Sequence, residues 1–103
     1  MDIQVDELYK KLKDGDDFVF VDVREPWENE EFALGAKLIP LGDLVNRLFE
    51  LDSYKNSEVV VHCKSGGRSG VAKALLEGQG FTNVRNLIGG VLAWKDAYGN
   101  EVP

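Results

Sequence analysis

Residues 58–70 read Glu58-Val59-Val60-Val61-His62-Cys63-Lys64-Ser65-Gly66-Gly67-Arg68-Ser69-Gly70. The stretch opens on an almost wholly apolar, β-branched run, the pattern of a strand covered on both faces. The glycines break that run. From Arg68 to Gln79, Val71, Ala72, Leu75 and Leu76 then recur at helical spacing, and Gly80 closes the helix. A buried strand, a tight loop and a helix therefore follow one another directly. Gly66 and Gly67 have no Cβ, so the loop can fold tightly and turn several backbone N–H groups inward. A helix starting near Arg68 adds unpaired N–H groups and the positive end of its dipole. Cys63 stands at the entrance of the anion cradle so formed.

The same alternation continues on both sides. Phe18 to Val23 is a second apolar strand. Asp6 to Lys13 places Leu8 and Leu12 on one helix face and stops at Asp14-Gly15. Pro26 opens a short helix over Trp27 to Phe32. Lys37-Leu38-Ile39 is a brief strand ended by Pro40, and Asp43 to Leu51 is a helix with Leu44, Val45, Leu48 and Leu51 on one stripe. Val84 to Leu87 is the last strand. Gly89-Gly90 then turns the chain into a short helix from Val91 to about Asp96, with Trp94 as core. Strands separated by helices predict an α/β fold in three layers, a mainly parallel sheet with helices on both faces. Ligands in such folds bind at the carboxyl ends of the strands, here after Val23 and after His62. With no repeat, linker or low-complexity segment, residues 1–103 are expected to form one domain.

The net charge of −6, from 12 basic and 18 acidic side chains, argues against nucleic acid as a general partner. No apolar run approaches the roughly 18 to 20 residues of a membrane span. The N-terminus has neither the basic nor the apolar region of an export signal, and a single cysteine allows no internal disulfide, so the cytoplasm is the expected location. One cysteine and one histidine supply too few soft ligands for zinc. Gly89-Gly90 lacks the third glycine and the following Lys-Ser/Thr of a phosphate loop. No metal and no cofactor are expected.

A cysteine after a valine-rich strand can be an inert core residue. The loop behind Cys63 points the other way, because amides at a helix start and nearby cations stabilise a thiolate, and Lys64 and Arg68 could supply that charge. The loop Cys63-Lys64-Ser65-Gly66-Gly67-Arg68-Ser69 resembles the active-site loop of the rhodanese-like domains. Three further stretches match that family in order: Val21-Asp22-Val23-Arg24-Glu25-Pro26-Trp27-Glu28, then Gly35-Ala36 with Ile39-Pro40, then Asn86 to Trp94. The resemblance runs from about Ile3 to Trp94. It implies a parallel sheet of five strands flanked by helices, and a Cys63 that cycles between thiol and persulfide. Thiosulfate or a protein persulfide would load the sulfur; cyanide, a thiol or a sulfur-carrier protein would remove it. Lys64, Ser65, Gly66, Gly67, Arg68 and Ser69 would form the substrate-binding loop, with Lys64 and Arg68 attracting an anionic donor. Cysteine phosphatases place five residues between cysteine and arginine. Here four intervene, a tighter cup suited to one sulfur atom.

Around this centre several readings stay open. Asp22 and Arg24, at the end of the second strand, either support the active-site architecture or form an ordinary strand-end salt bridge. His62 neighbours Cys63, but adjacent strand residues face opposite ways, so its ring is expected to turn from the thiol. Glu25, Glu28, Glu30 and Glu31 read as a solvated helix face. Glu31-Phe32-Ala33-Leu34-Gly35-Ala36 departs from the family's usual Gly-His-Ile-x-Gly-Ala, which leaves donor preference open. Ile39-Pro40-Leu41-Gly42-Asp43-Leu44 is similar to rhodanese domains attached to adenylating enzymes that serve sulfur-carrier proteins. The alternatives to a transferase are a non-catalytic binding or regulatory module of the same fold and a cysteine redox sensor.

Overall fold

A computed structural model describes residues 1–103. Four parallel strands form one sheet: β1 (Val19–Asp22), β2 (Lys37–Leu38), β3 (Val59–His62) and β4 (Val84–Asn86), in the order β2-β1-β3-β4. The helices are α1 (Val5–Asp14), α2 (Pro26–Glu31), α3 (Gly67–Gly78) and α4 (Gly90–Tyr98). Every β3 residue is buried, as its run of three valines demands for an inner strand of a sheet covered on both sides, and His62 is buried with them.

The five strands implied by family resemblance reduce to four. The fifth position holds a single residue: Ile3 bridges Leu87, with its N–H donating to Asn86 O at 3.0 Å and its C=O accepting from Ile88 at 2.9 Å. The chain enters α1 two residues later, so no length remains for a strand.

The pleat divides the core in two. One face gathers Val21, Val59, Val61 and Cys63 with Ala72 and Leu76 of α3; the other gathers Ile3, Leu8, Val60, Leu87, Val91 and Trp94. Side chains alternate along a strand, so Cys63 and His62 fall on opposite sides of the sheet.

Two stretches depart from the sequence reading. On α3, Val71 is 53% exposed and Leu75 37%, while Ser69, Ala72 and Leu76 form the buried stripe. The helix is rolled so that Ser69 meets Cys63, which turns Val71 and Leu75 out to the flank. The segment 43–51 is not α-helical but 3-10, in two pieces over Leu41–Asp43 and Val45–Tyr54. Its inward residues, Leu41, Leu44, Leu48 and Leu51, run mostly at three-residue spacing, the period of a 3-10 turn. Val45 lies off that row and is exposed.

Candidate active site

The parallel sheet brings the carboxyl ends of β1, β3 and β4 to one edge. Cys63 follows β3 directly, and its thiol is buried. Gly66 takes φ 104°, a left-handed value that glycine adopts without strain, and this turns its N–H back to Cys63 Sγ at 3.1 Å. The Ser69 N–H lies 3.4 Å from Sγ and the Ser69 hydroxyl 3.3 Å. Burial pushes the Cys63 thiol up. The Ser69 hydroxyl, helped by the Ser69, Gly66 and Ser65 amides, outweighs burial, and the thiol titrates below its ordinary range.

The loop's carbonyls point the other way, into the start of α4. Val91 N–H donates to Cys63 O and Leu92 N–H to Lys64 O, both at 3.0 Å. Gly90, at φ +58°, permits this contact: a Cβ there would stand 2.5 Å from Cys63 O and 2.6 Å from Lys64 C and O. Gly89-Gly90 is therefore a seat for the thiol loop as well as a turn. One helix end supplies the N–H groups that face sulfur, and another satisfies the carbonyls that face away.

Arg68, expected to lend positive charge near the thiol, is paired with a carboxylate. Its guanidinium makes a two-pronged pair with Glu28, at 2.6 Å to Oε1 and 2.9 Å to Oε2. The pair holds Glu28 down to about 2 and raises Arg68. Lys64 has no ion-pair partner and stays exposed on the rim, as does Ser65. Gly67 begins α3.

Asp22 and Arg24 resolve as a buried brace. Arg24 Nε and Nη2 donate to the Asp22 carboxylate at 3.0 and 2.8 Å, and Arg24 also donates to Glu28 O and Phe32 O at 3.3 and 2.7 Å. The Arg24 backbone N–H and the Asn29 amide donate to Asp22 as well. The brace fixes the backbone of α2 and of Phe32, and so fixes where Glu28 meets Arg68. His62 lies on the far side of the sheet against the Phe20 ring, and neither of its ring nitrogens has a hydrogen-bond partner. Burial pushes it down to about 4, with the Asp22 charge pulling the other way.

The sequence profile of the rhodanese-like domain matches residues 4–97. The chain belongs to the rhodanese-like domain family. The "Sulfurtransferase" of Allochromatium vinosum is 36% identical to it over 94 residues, covering 90% of this chain and 86% of that protein. The "Rhodanese-like/PpiC domain-containing protein 12, chloroplastic" of Arabidopsis thaliana is 38% identical over 108 residues. That match takes in 99% of this chain and 36% of the plant protein, so the chain spans about a third of that relative. The crystal structure of a rhodanese-like domain protein from Staphylococcus aureus superposes with a TM-score of 0.81 at 34% identity, covering 100% of this chain and 99% of that one.

Two residues of this rhodanese-like domain carry more than the sequence reading gave them. Glu28 is 8% exposed, whereas Glu25, Glu30 and Glu31 are in solvent. Its position four residues after Arg24, on the inward side of α2, is the signal that separates it from its neighbours. Asn86 ends β4 beside the loop; its Oδ1 accepts from the Ser69 hydroxyl at 2.6 Å and its Nδ2 donates to Gly66 O at 3.1 Å. A polar residue at the carboxyl end of a strand adjoining the cysteine strand was the available clue. Beside the loop, Trp27, Phe32, Leu92, Lys64 and Lys95 line an open cleft, with the Lys95 ammonium 4.5 Å above the Phe32 ring. No helix is long and apolar enough to cross a membrane.

Proposed function

We propose that this domain is a sulfurtransferase in which Cys63 carries sulfane sulfur as a persulfide. The observation that carries the reading is the set of three donors converging on one buried sulfur from Gly66 and Ser69. In the first half-reaction the Cys63 thiolate attacks the outer sulfur of thiosulfate. A Cys63 S–S bond forms, the bond to the sulfonate sulfur breaks, and sulfite leaves with the electron pair. In the second, cyanide or a thiolate attacks the outer sulfur and returns Cys63 to thiolate. This is covalent catalysis in two steps, with ping-pong kinetics. The first N–H groups of α3, at Gly67 and Arg68, have no partner within the helix and receive the charge that moves to the outer sulfur.

Lys64, exposed and unpaired on the rim, attracts the anionic donor; Arg68 shapes the loop through Glu28. In the cell a protein persulfide takes the place of thiosulfate, and a thiol or sulfur-carrier protein that of cyanide. Chemistry on a single reduced thiol suits the cytoplasm. The relative from Allochromatium vinosum, matched over most of both chains, supports the reading through its name.

Incubation with thiosulfate followed by intact mass, then cyanide with detection of thiocyanate, tests the proposal. A gain of one sulfur atom and turnover are expected, both absent from Cys63→Ser. A native protein that gains no sulfur from thiosulfate or from a protein persulfide refutes it.

A further inference from the structure

The Ser69 hydroxyl has one hydrogen and two claimants. Cys63 Sγ lies 3.3 Å from Oγ on one side and Asn86 Oδ1 lies 2.6 Å away on the other. The orientation of the Asn86 amide is fixed by its second contact, since only Nδ2 can donate to the Gly66 carbonyl at 3.1 Å. Oδ1 must then face Ser69, where it can only accept. The backbone of Asn86 is held too: its N–H donates to Asp2 Oδ1 at 3.0 Å, and its C=O accepts from Ile3.

We propose that Asn86 is a positioning residue that competes with the Cys63 sulfur for the single Ser69 hydroxyl proton, so that sulfur receives it only while carrying negative charge. This deepens the reading of Cys63 as the sulfur-carrying nucleophile and rests on it. With Cys63 as a thiol, S–H donates to Ser69 Oγ and Ser69 O–H donates to Asn86. On ionisation Sγ loses its hydrogen and gains a charge; the Ser69 hydroxyl rotates to donate to it, and Asn86 Oδ1 is left without that donor. When the persulfide forms, charge moves to the outer sulfur, Sγ becomes a weak acceptor and the hydroxyl turns back to Asn86. The hydroxyl proton stays on oxygen throughout. Asn86 therefore holds the resting thiolate back from full stabilisation and favours its conversion to persulfide.

The charged groups around the thiol from each packed element are Arg68 of α3 with Glu28 of α2, the Asp22–Arg24 brace at the end of β1, Lys64 on the loop and Lys95 of α4. Asp2 and Lys73 pair beside Asn86. Substitution of Asn86 or Ser69 by alanine adds and removes no charge among them.

The test is the pH dependence of Cys63 alkylation by iodoacetamide, which needs no sulfur transfer. Failure here with a normal persulfide mass gain separates this proposal from the sulfurtransferase reading. In Asn86→Ala the midpoint is expected to fall by at least about half a pH unit, roughly a threefold rise in the thiolate-to-thiol ratio. Ser69→Ala should raise it, and in the double variant the fall that Asn86→Ala causes should be gone, because the competition runs through that hydroxyl, whereas the loss of the Asn86 bond to Gly66 O is common to both variants that lack the amide. A midpoint that is unchanged or raised in Asn86→Ala overturns the proposal, as does an equal fall in the Ser69→Ala background. Circular dichroism and cooperative melting check the fold, with Asn86→Leu, closer in volume, read in place of an unfolded alanine variant. In the unmutated protein the Asn86 side-chain amide resonances should shift with the same midpoint as the thiolate. Resonances that stay still overturn the proposal without any substitution.

Discussion

His62 gives the protein an acid sensitivity that can be worked out in advance. Its ring is wholly buried, neither nitrogen is hydrogen-bonded, and burial holds it at about 4 against an ordinary 6.5. As pH falls, the unfolded chain therefore takes up the proton first, and folding loses stability from 6.5 down to about 4; below that both states are protonated and the loss stops. Integrating the two titrations gives a loss of about 2 kcal/mol at pH 5 and about 3 kcal/mol at pH 4, relative to neutral pH. For a small domain with roughly 5–15 kcal/mol in all, that is a large share. The chain has no other histidine, and Glu28, held at about 2, acts in a lower window, as pH drops from 4.5. Urea unfolding of the native protein and of His62→Leu at pH 7 and pH 5 isolates the effect. The leucine variant should be at least as stable at pH 7, because two unpaired polar atoms leave the core, and should lose little at pH 5. Parallel losses in the two proteins, or a native loss under about 0.5 kcal/mol, would refute the reasoning.

Two further outcomes concern the loop. Gly90→Ala places a Cβ against the carbonyls of Cys63 and Lys64 in a left-handed backbone, at a cost of roughly 2–5 kcal/mol. Thermal unfolding should show that loss with a fall in turnover, and unchanged melting would mean that α4 does not seat the loop. Glu28→Gln keeps an acceptor for Arg68 but removes the neutralising charge, so the Cys63 alkylation midpoint should drop by about half a pH unit. An unmoved midpoint would show that the Arg68 field does not reach the thiol.

Much of this was legible in the chain. The period-two alternation of a strand alone places His62 and Cys63 on opposite faces. The unbroken run of valines marked the central strand, and glycines after it marked a loop folded around sulfur. What could not be read was roll and partnership. The roll of α3 is set by Ser69 meeting Cys63, so Val71 and Leu75 matched a helical stripe that another stripe displaced. The 3-10 segment cannot be told from an α-helix in sequence, because leucines three and four apart fit either period. The Glu28 partner of Arg68 could not be read because it lies 40 residues away in sequence. The same distance problem hid Asn86, whose partners come from α3 and the loop.

The clasp between α4 and the cysteine loop also has a bearing on synthesis. The carbonyls of Cys63 and Lys64 have their N–H partners on Val91 and Leu92, and α4 is itself anchored by Trp94, stacked on Tyr9 of α1. A chain leaving the ribosome from its N-terminus holds the nucleophile well before it holds the residues that shape the nucleophile's surroundings. During that interval the carbonyls of Cys63 and Lys64 lack the N–H partners that α4 brings. The loop around Cys63 therefore takes its final seat only when α4 has been made and docked.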